Sequence, residues 1–291
     1  MYICRHKRKS MIIKPCAKIN LGLNIVGKRD DGYHDLETVF YPVAIYDEIE
    51  IVETNGEPNT CILTIEGQPI KGEASKNLVV KAYRALAGQR TLPAVGIRLK
   101  KEIPMEAGMG GGSSDCAYTL RLLNNMFSLG MKEDELIETA SRLGADCPFF
   151  ILSEPAYAEG VGERLQPVRL DLSEYYFLIV KPPVSVSTRE AFAQIKVCKP
   201  EKCCKDIVSQ PIETWKEELK NDFEHSIFPQ YPVIGEIKQK LYGLGAIYAA
   251  MSGSGSAVYG IFRERPEHAE HLFEGCYTSV TKAARPEFVI E

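Results

Sequence analysis

Apolar and polar residues alternate between residues 17 and 25, near the start of the chain. Small or apolar side chains take the odd positions, whereas Lys18, Asn20, Gly22 and Asn24 take the even ones. A period of two is typical of a β-strand, whose side chains point to opposite faces in turn. The pattern therefore predicts a strand that presents Lys18 and Asn20 side by side.

Similar alternation predicts further strands, and other segments repeat apolar residues at the spacing of a helix. The predicted strands cover residues 46–52, 60–66, 95–101 and 176–180, with a hairpin around 251–261. The predicted helices run from a cap at Ser75 to Gly88, from Ser113 or Ser114 to Gly130, through residues 136–143 to Gly144, and over about residues 233–241. This mixture of elements predicts an α+β protein.

Composition is that of an ordinary globular protein large enough for two domains. The chain has 291 residues, of which 45% are hydrophobic and 25% charged. We expect a basic, disordered extension at residues 1–10, an N-terminal domain at 11–160 and a C-terminal domain at 161–291. No apolar run is long enough to span a bilayer or to follow the basic start as a secretory signal would, so we expect no membrane association and no export.

Cysteine usage and charge narrow the function classes further. Nine scattered cysteines favour a reducing cytoplasm over a disulfide-bonded fold. Cys198, Cys203 and Cys204 form one cluster, but without paired C-x-x-C spacing or a histidine in step we predict free thiols there rather than a zinc site. The formal net charge is −4 although the first ten residues are basic. An acidic body argues against general nucleic-acid binding.

A glycine-rich segment between a predicted strand and a predicted helix is the strongest functional signal. Its glycines leave the backbone uncovered and permit positive φ, so successive N–H groups can converge on a phosphate. The N-terminus of the following helix adds unpaired donors and the positive end of its dipole. The predicted nucleotide-binding residues are Pro104, Met105, Glu106, Ala107, Gly108, Met109, Gly110, Gly111, Gly112, Ser113 and Ser114.

Other kinds of glycine-rich loop fit this segment less well. It lacks the G-x-x-x-x-G-K-[ST] sequence of a Walker A loop, and Ser113 stands where the Rossmann fingerprint starting at Gly108 needs its third glycine. A flexible hinge is the remaining alternative, but a hinge needs neither a proline before it nor capping residues after it. We therefore favour a nucleotide site.

The segment P-x-x-A-G-x-G-G-G-S-S at residues 104–114 resembles the ATP-binding motif of the GHMP kinases. Residues 17–21 and 251–257 resemble the N-terminal and C-terminal motifs of the same superfamily, in the same order. The resemblance implies a two-domain α+β fold, with an N-terminal domain like ribosomal protein S5 domain 2 and a ferredoxin-like C-terminal α/β sandwich. It also implies an ATP-dependent small-molecule kinase.

Three further segments resemble one family within the superfamily, the diphosphocytidyl-methylerythritol kinases of the non-mevalonate isoprenoid pathway. They are residues 28–34, 144–150 and 221–224. The resemblance implies a cytidine diphosphate substrate that is phosphorylated on its 2-hydroxyl group. It assigns Tyr33 to stacking on the cytosine and His34 to reading its hydrogen-bonding edge, with Phe192 as a second stacking ring. Aromatic faces and edge hydrogen bonds suit a planar pyrimidine.

The same resemblance assigns the catalytic lysine and aspartate of the family to Lys18 and Asp146. Lys18 would be a fixed cation near the transferred phosphoryl group, and Asp146 the base for the hydroxyl proton. Asp146 precedes the apolar residues 147–150, a setting in which an unpaired carboxylate is costly. Asn20, on the strand face of Lys18, is expected to position the substrate.

Two alternatives remain at this point. One is another GHMP kinase, acting on mevalonate or homoserine. The other is a nucleic-acid-binding module, since the N-terminal half of these kinases shares its topology with a ribosomal protein domain; the acidic body and the intact motifs count against it. With ATP we expect Mg²⁺, for which Ser114 and Asp115 are only candidate ligands, and the chain is expected to be a monomer or a homodimer.

Overall fold

A computed structural model of the chain describes residues 9–70, 72–193, 195 and 197–284. Residues 1–8 of the expected basic extension lie outside them. Lys9 already leads into the first strand, because its carbonyl accepts a hydrogen bond from the Glu53 N–H at 2.9 Å. Among all the described residues, no helix combines the length and the apolar character that crossing a membrane requires.

The described chain contains both strands and helices, which confirms the predicted mixed class. The strands are β1 Ser10–Ile13, β2 Cys16–Lys28, β3 His34–Tyr46, β4 Glu48–Glu53, β5 Cys61–Gly67, β6 Val95–Lys101, β7 Ala156–Gly160, β8 Arg164–Pro167, β9 Tyr176–Lys181, β10 Tyr248–Met251, β11 Val258–Phe262 and β12 Tyr277–Thr281. The helices are α1 Leu78–Ala87, α2 Gly111–Met126, α3 Glu133–Ser141, α4 Cys147–Leu152, α5 Thr188–Ala193, α6 Cys204–Val208, α7 Trp215–Glu218, α8 Phe223–Ile227, α9 Pro232–Gly243 and α10 Ala269–Leu272, with 3₁₀ turns at Ala74–Lys76 and Ile212–Thr214.

These strands form three four-stranded sheets, in the orders β1-β4-β6-β5, β2-β3-β7-β8 and β10-β11-β9-β12. All the strand pairs are antiparallel except β5 with β6. The first sheet packs against α1 and α2, and the third packs against α9. The middle sheet lies between them and shares a second apolar cluster with β9, β10 and β11. Its strand β2 therefore carries Lys18 into the interior of the molecule.

Strands β2 and β3 form a long antiparallel pair whose register shifts between Leu21 and Leu23. Gly22 lies at this bulge with a φ of +69°, and a Cβ there would come within 2.6 Å of the Leu219 side chain. A bulge adds one residue to one strand and bends it locally. Lys18 and Asn20, before the bulge, point to the same side as predicted, since their side chains are hydrogen-bonded.

The structure corrects two predicted helix starts. Helix α1 is capped by Asn77, whose Oδ1 accepts the Val79 N–H at 2.9 Å, rather than by Ser75, which lies in the preceding 3₁₀ turn. Helix α2 begins at Gly111, earlier than the predicted Ser113 or Ser114. The reason is that Gly110 adopts a φ of +72°, which ends the loop before the serines are reached.

Other boundaries also differ from the predicted ones. Helix α2 ends at Met126 and α3 at Ser141, so Gly130 and Gly144 lie in the turns that follow rather than at the helix ends. The strand predicted at residues 46–52 divides at Asp47, because its carboxylate leaves the sheet and accepts the N–H groups of Glu102 and Ile103. Residues 95–101 form β6 as predicted.

Candidate active site

Two cavities lie on either side of the glycine-rich loop. The larger, of about 890 Å³, is lined by Lys18, Asn20, Tyr33, His34, Asp146 and Phe192 among others. The smaller, of about 390 Å³, is lined by loop residues up to Ser113 and by Lys101 and Asp115. Glu106, Gly108 and Gly110 line both cavities. The loop is thus a shared wall between the two spaces.

Lys18 is buried at the inner end of the larger cavity, with only 4% of its surface exposed. Its Nζ donates to Asn20 Oδ1 at 2.6 Å and to the Gly108 carbonyl at 2.8 Å, and lies 5.0 Å from the centre of the Phe40 ring. Asn20 in turn donates to Thr38 Oγ1 at 3.0 Å. These contacts fix the ammonium group at the point where strand β2 meets the glycine-rich loop.

Asp146 lies beside Lys18, with its Oδ2 3.6 Å from the lysine Nζ. It occupies the N-cap position of α4, and its side chain is 32% exposed, against 5% for the Lys18 side chain. Burial lowers the pKa of the Lys18 ammonium, and the neighbouring Asp146 only partly opposes this. The structure therefore brings together the two residues that sequence similarity proposed as a pair, with the carboxylate facing the cavity.

The glycine-rich loop approaches its neighbours at distances that side chains would prevent. A Cβ on Gly108 would lie 1.9 Å from the Ser252 carbonyl oxygen, and one on Gly110 would lie 2.8 Å from the Phe150 ring. Gly108 has a φ of +70°. Its carbonyl accepts hydrogen bonds from both Lys18 Nζ and Ser252 Oγ, at 2.8 and 2.9 Å. The loop is therefore held between β2 and residues 251–257, which we call the second glycine motif, with its backbone facing both cavities.

A second buried lysine lies on the other side of the loop. Lys101 forms ion pairs with Asp47 and, at 2.8 Å, with Asp115, and all three side chains are at most 3% exposed. The two carboxylates raise the pKa of Lys101, although burial opposes them. This cluster was not predicted. It anchors the start of α2 to the end of β6, and Lys101 and Asp115 line the smaller cavity.

The candidate metal ligands Ser114 and Asp115 are already engaged within the protein. Ser114 Oγ donates to the Cys16 carbonyl at 2.6 Å, and Asp115 Oδ2 accepts from Lys101. Asp115 Oδ1 is buried without a hydrogen-bond partner. Within the described ranges, no group of three or more histidine, cysteine, aspartate or glutamate residues could hold a metal ion. These two side chains therefore do not form a ligand set.

At the other end of the larger cavity, His34 and Phe192 are in contact. Their rings stack with centroids 4.8 Å apart and an interplanar angle of 19°, and Phe223 meets Phe192 edge-on. Tyr33 lies on the rim with 64% of its surface exposed, and its N–H donates to Asp31 Oδ1 at 3.0 Å. The three predicted residues share the cavity, but in this arrangement His34 covers the Phe192 face rather than leaving a slot opposite Tyr33.

Asn221 is a further site residue whose role the sequence did not reveal. Its Nδ2 donates to the carbonyls of Met251 and Gly253, both at 2.8 Å, and its Oδ1 accepts the Phe223 N–H. It thereby fixes the second glycine motif, whose Gly253 and neighbours line the larger cavity. Asn221 lies within the motif at residues 221–224, but nothing in the neighbouring sequence connects it with a loop thirty residues later.

The cysteine cluster lies away from the site. The eight cysteines in the described part of the chain are free. Cys204 is buried at the start of α6, where its Sγ accepts from Asn24 Nδ2 at 3.3 Å, whereas Cys198 is exposed. One thiol of the cluster thus packs against the core and does not point to a shared ligand.

Comparisons with known proteins agree with the motif assignments. Residues 77–154 match the family described as GHMP kinases N terminal domain, and residues 204–277 match GHMP kinases C terminal. A relative from Bacteroides fragilis, a 4-diphosphocytidyl-2-C-methyl-D-erythritol kinase, is 51% identical over 272 residues, which cover 94% of this chain and 99% of the relative.

Solved structures give the same picture for the fold. A crystal structure of a 4-(cytidine 5'-diphospho)-2C-methyl-D-erythritol kinase superposes with a TM-score of 0.76 at 31% identity. The match covers 94% of this chain and 100% of that one. A homoserine kinase from Cytophaga hutchinsonii superposes with a TM-score of 0.70 at 15% identity, covering 97% of each chain. The second likeness shows the fold alone, and together they confirm the predicted two-domain GHMP architecture.

Proposed function

The chain belongs to the GHMP kinases, within the family of the 4-diphosphocytidyl-2-C-methyl-D-erythritol kinases, and on that premise we propose how its residues carry out the reaction. The activity is ATP-dependent phosphorylation of the 2-hydroxyl group of 4-diphosphocytidyl-2-C-methyl-D-erythritol, a step of the non-mevalonate isoprenoid pathway. The observation that carries the assignment of roles is the position of Lys18 and Asp146, 3.6 Å apart against the glycine-rich loop.

The glycine-rich loop and the start of α2 bind the triphosphate of ATP. Gly108, Gly110 and Gly111 have no side chains to cover the backbone of the loop, and the helix that starts at Gly111 adds the positive end of its dipole. The fit is supported by the shape of the loop, since a Cβ on Gly111 would come within 3.3 Å of Lys101 Nζ and narrow the smaller cavity. With the triphosphate bound in this way, the γ-phosphoryl group is expected at the wall that both cavities share.

Asp146 and Lys18 act on the alcohol from the larger cavity. Asp146 Oδ2 accepts the proton of the hydroxyl group as its oxygen forms a bond to the γ-phosphorus, and the bond from phosphorus to the bridging oxygen of ADP breaks. Lys18 lies 3.6 Å from Asp146 Oδ2 and stabilises the negative charge on the transferred phosphoryl oxygens. Asn20 keeps the lysine amine in place, since its Oδ1 accepts from Nζ at 2.6 Å.

Mg²⁺ is expected with ATP, where it would neutralise phosphate charge. Ser114 and Asp115 do not fit as its ligands, because the hydroxyl group is bound to Cys16 and one carboxylate oxygen is paired with Lys101. The residues named above position the alcohol and move its proton.

Tyr33, His34 and Phe192 hold the cytosine at the far end of the larger cavity. The base can lie between Tyr33 and Phe192 only after His34 turns away from the Phe192 face, where it is stacked at 4.8 Å. The same rotation frees the imidazole nitrogens to read the edge of the base. Recognition of cytidine thus requires a side-chain movement rather than a preformed slot.

The test is an ATP-consumption assay that offers the purified protein the diphosphocytidyl alcohol, mevalonate and homoserine in parallel. Turnover of the first compound alone is expected, with the phosphate placed on the 2-hydroxyl group by NMR. Preferential turnover of mevalonate or homoserine would show that the proposed substrate is wrong but that the protein is a kinase. Binding of RNA at physiological salt, without turnover of any alcohol, would show that the proposed kinase activity is wrong.

A further inference from the structure

A substrate of this chemistry contains a diphosphate between its base and its alcohol, and this group needs a partner in the larger cavity. It carries about two negative charges at neutral pH, and charge-assisted hydrogen bonds to a guanidinium are a common way to hold such a group. In the proposed function the Lys18 amine serves the transferred phosphoryl group, so the diphosphate needs a different partner. Two N–H donors of Lys18 are held by Asn20 Oδ1 and the Gly108 carbonyl, and Asp146 Oδ2 lies 3.6 Å from Nζ.

Lys18 and Arg189 are the lysine and arginine side chains among the described residues that line the larger cavity. Arg189 lies in the first turn of α5 and is exposed. It forms no ion pair with any residue in the described ranges. Its guanidinium is therefore available to an anion that enters the cavity.

The nearest acid along the chain, Glu190, is occupied elsewhere. Its Oε2 accepts hydrogen bonds from the Ser187 N–H at 2.9 Å and from Ser187 Oγ at 2.8 Å. Ser187 Oγ in turn accepts the Glu190 N–H at 3.1 Å. These reciprocal bonds fix the start of α5 and keep the carboxylate on the backbone, so Arg189 is not neutralised by its neighbour.

The position of Arg189 also relates it to the base-binding end. Phe192 follows it by three residues on the same helix, and residues three apart on a helix lie on one face. Phe192 stacks on His34, and α5 is tied to α8 by the hydrogen bond from Ser226 Oγ to the Ala191 carbonyl at 3.0 Å. One anchored helix therefore presents an aromatic ring and a free cation to the same cavity.

We propose that Arg189 binds the diphosphate of the substrate and makes the enzyme select a nucleoside diphosphate derivative over an uncharged nucleoside. This inference rests on the proposed function for the identity of the substrate. It assigns an anion-binding residue to the larger cavity, which Lys18, His34, Asp146 and Phe192 also line.

The experiment measures binding and turnover separately. Dissociation constants of CDP and of cytidine are determined by calorimetry for the wild type, Arg189→Ala, Arg189→Gln and Arg189→Lys. The matched control is Arg169→Ala, because Arg169 is an exposed arginine that does not line the larger cavity. Thermal unfolding of each variant shows whether it is folded, and Arg189→Gln serves if the alanine variant is not.

For Arg189→Ala and Arg189→Gln we expect the dissociation constant of CDP to rise about 10-fold while that of cytidine stays unchanged. Arg189→Lys should lose about 3-fold, because it keeps the charge but not the bidentate geometry. In turnover, the KM for the diphosphocytidyl alcohol should rise, whereas kcat and the KM for ATP should stay unchanged. Arg169→Ala should match the wild type in all these measurements.

Equal CDP affinity in the wild type and both neutral variants would overturn the inference, as would a parallel loss of CDP and cytidine affinity. Either result leaves the proposed function intact provided the wild type phosphorylates the alcohol. Failure of the wild type to phosphorylate it would remove the proposed function instead. In that case a selective loss of CDP binding would still establish Arg189 as an anion-binding residue.

Discussion

The glycine-rich loop separates two buried lysines that are paired in different ways. Lys101 has two carboxylate partners, Asp47 and Asp115, and all three groups are closed off from solvent. Lys18 has a single carboxylate partner, Asp146, at the longer distance of 3.6 Å and facing an open cavity. The pKa of Lys101 is raised by its partners, whereas burial lowers the pKa of Lys18.

The difference shows how the environment of a lysine separates a structural role from a chemical one. Lys101 is compensated in place, so its charge serves to hold β6, α2 and the residue before β4 together. Burial lowers the pKa of Lys18 and Asp146 opposes this only in part, so in the proposed function the negative charge of a phosphoryl group would complete its environment. Proximity to the glycine-rich loop alone does not distinguish the two lysines, because both line cavities at that loop.

The largest effect expected on this comparison is the loss of turnover on replacing the proposed base. Asp146→Asn removes the proton acceptor while keeping the shape of the side chain, so kcat should fall by about 10² to 10⁴. ATP affinity and thermal unfolding should change little. Steady-state kinetics measure kcat. The matched control is Asp134→Asn, because Asp134 is an exposed aspartate on α3. Unchanged kcat would exclude Asp146 from the proton transfer.

The next effect concerns stability at the other lysine. Lys101→Met leaves Asp47 and Asp115 buried without their cation, and removing one partner of a buried pair costs about 3 to 5 kcal/mol in the free energy of unfolding. Urea unfolding followed by circular dichroism measures the loss. Lys100→Met is the control on the same strand, because Lys100 is exposed and pairs with Glu102 at the surface, worth at most about 1 kcal/mol.

A loss below about 1 kcal/mol for Lys101→Met would mean that the cluster does not hold the structure together. Lys101 would then not have the structural role assigned to it, and a role in binding the nucleotide would have to be considered. An ATP titration of the same variant shows whether Lys101 contributes to nucleotide binding.

The smallest effect expected is the dependence of stability on pH at Lys18. Burial lowers the pKa of Lys18 in the folded state below its ordinary value of 10.5, so the unfolded chain binds this proton more tightly than the folded one. The protonated lysine therefore costs stability at neutral pH, and the cost disappears as the pH rises towards 10.5.

Lys18→Met should accordingly be more stable than the wild type at neutral pH, with an advantage that shrinks as the pH rises. Urea unfolding of both proteins at a series of pH values measures this difference. A wild type that is the more stable protein at neutral pH would show that Asp146 compensates Lys18 as fully as its partners compensate Lys101.

Much of the site could be predicted because its chemistry is local in sequence. The alternation around Lys18 and Asn20 predicts both on one strand face, as observed, and the glycine tract predicts a loop between a strand and a helix, which is also observed. Both patterns depend on neighbours within a few residues. The order of the motifs along the chain then identified the superfamily and its fold.

The cluster at Lys101 could not be predicted in this way. Asp47, Lys101 and Asp115 each look like a surface charge near the end of an element, and only the packing of β4, β6 and α2 brings them together. Strand β3 was missed for a similar reason. Its residues from Glu37 to Val43 are buried on both faces, so apolar and polar positions do not alternate.

The cap of α1 was predicted at Ser75 but is observed at Asn77, and the reason is a different limit of sequence-based prediction. Both residues are good caps, and they are two positions apart. The choice depends on where the backbone turns, and here a 3₁₀ turn uses residues 74–76 before the helix begins. Local composition does not fix such a turn.

The thinness of the wall at Gly108 and Gly110 has a consequence for inhibitor chemistry. The two cavities are separated by the backbone of one loop, since both residues line both spaces. If ATP and the substrate bind on the two sides as proposed, a compound that joins a nucleoside diphosphate fragment to an ATP fragment should need only a short linker past this loop. Once one fragment is bound, the other should be held at a local concentration of about a millimolar, as expected for short tethers.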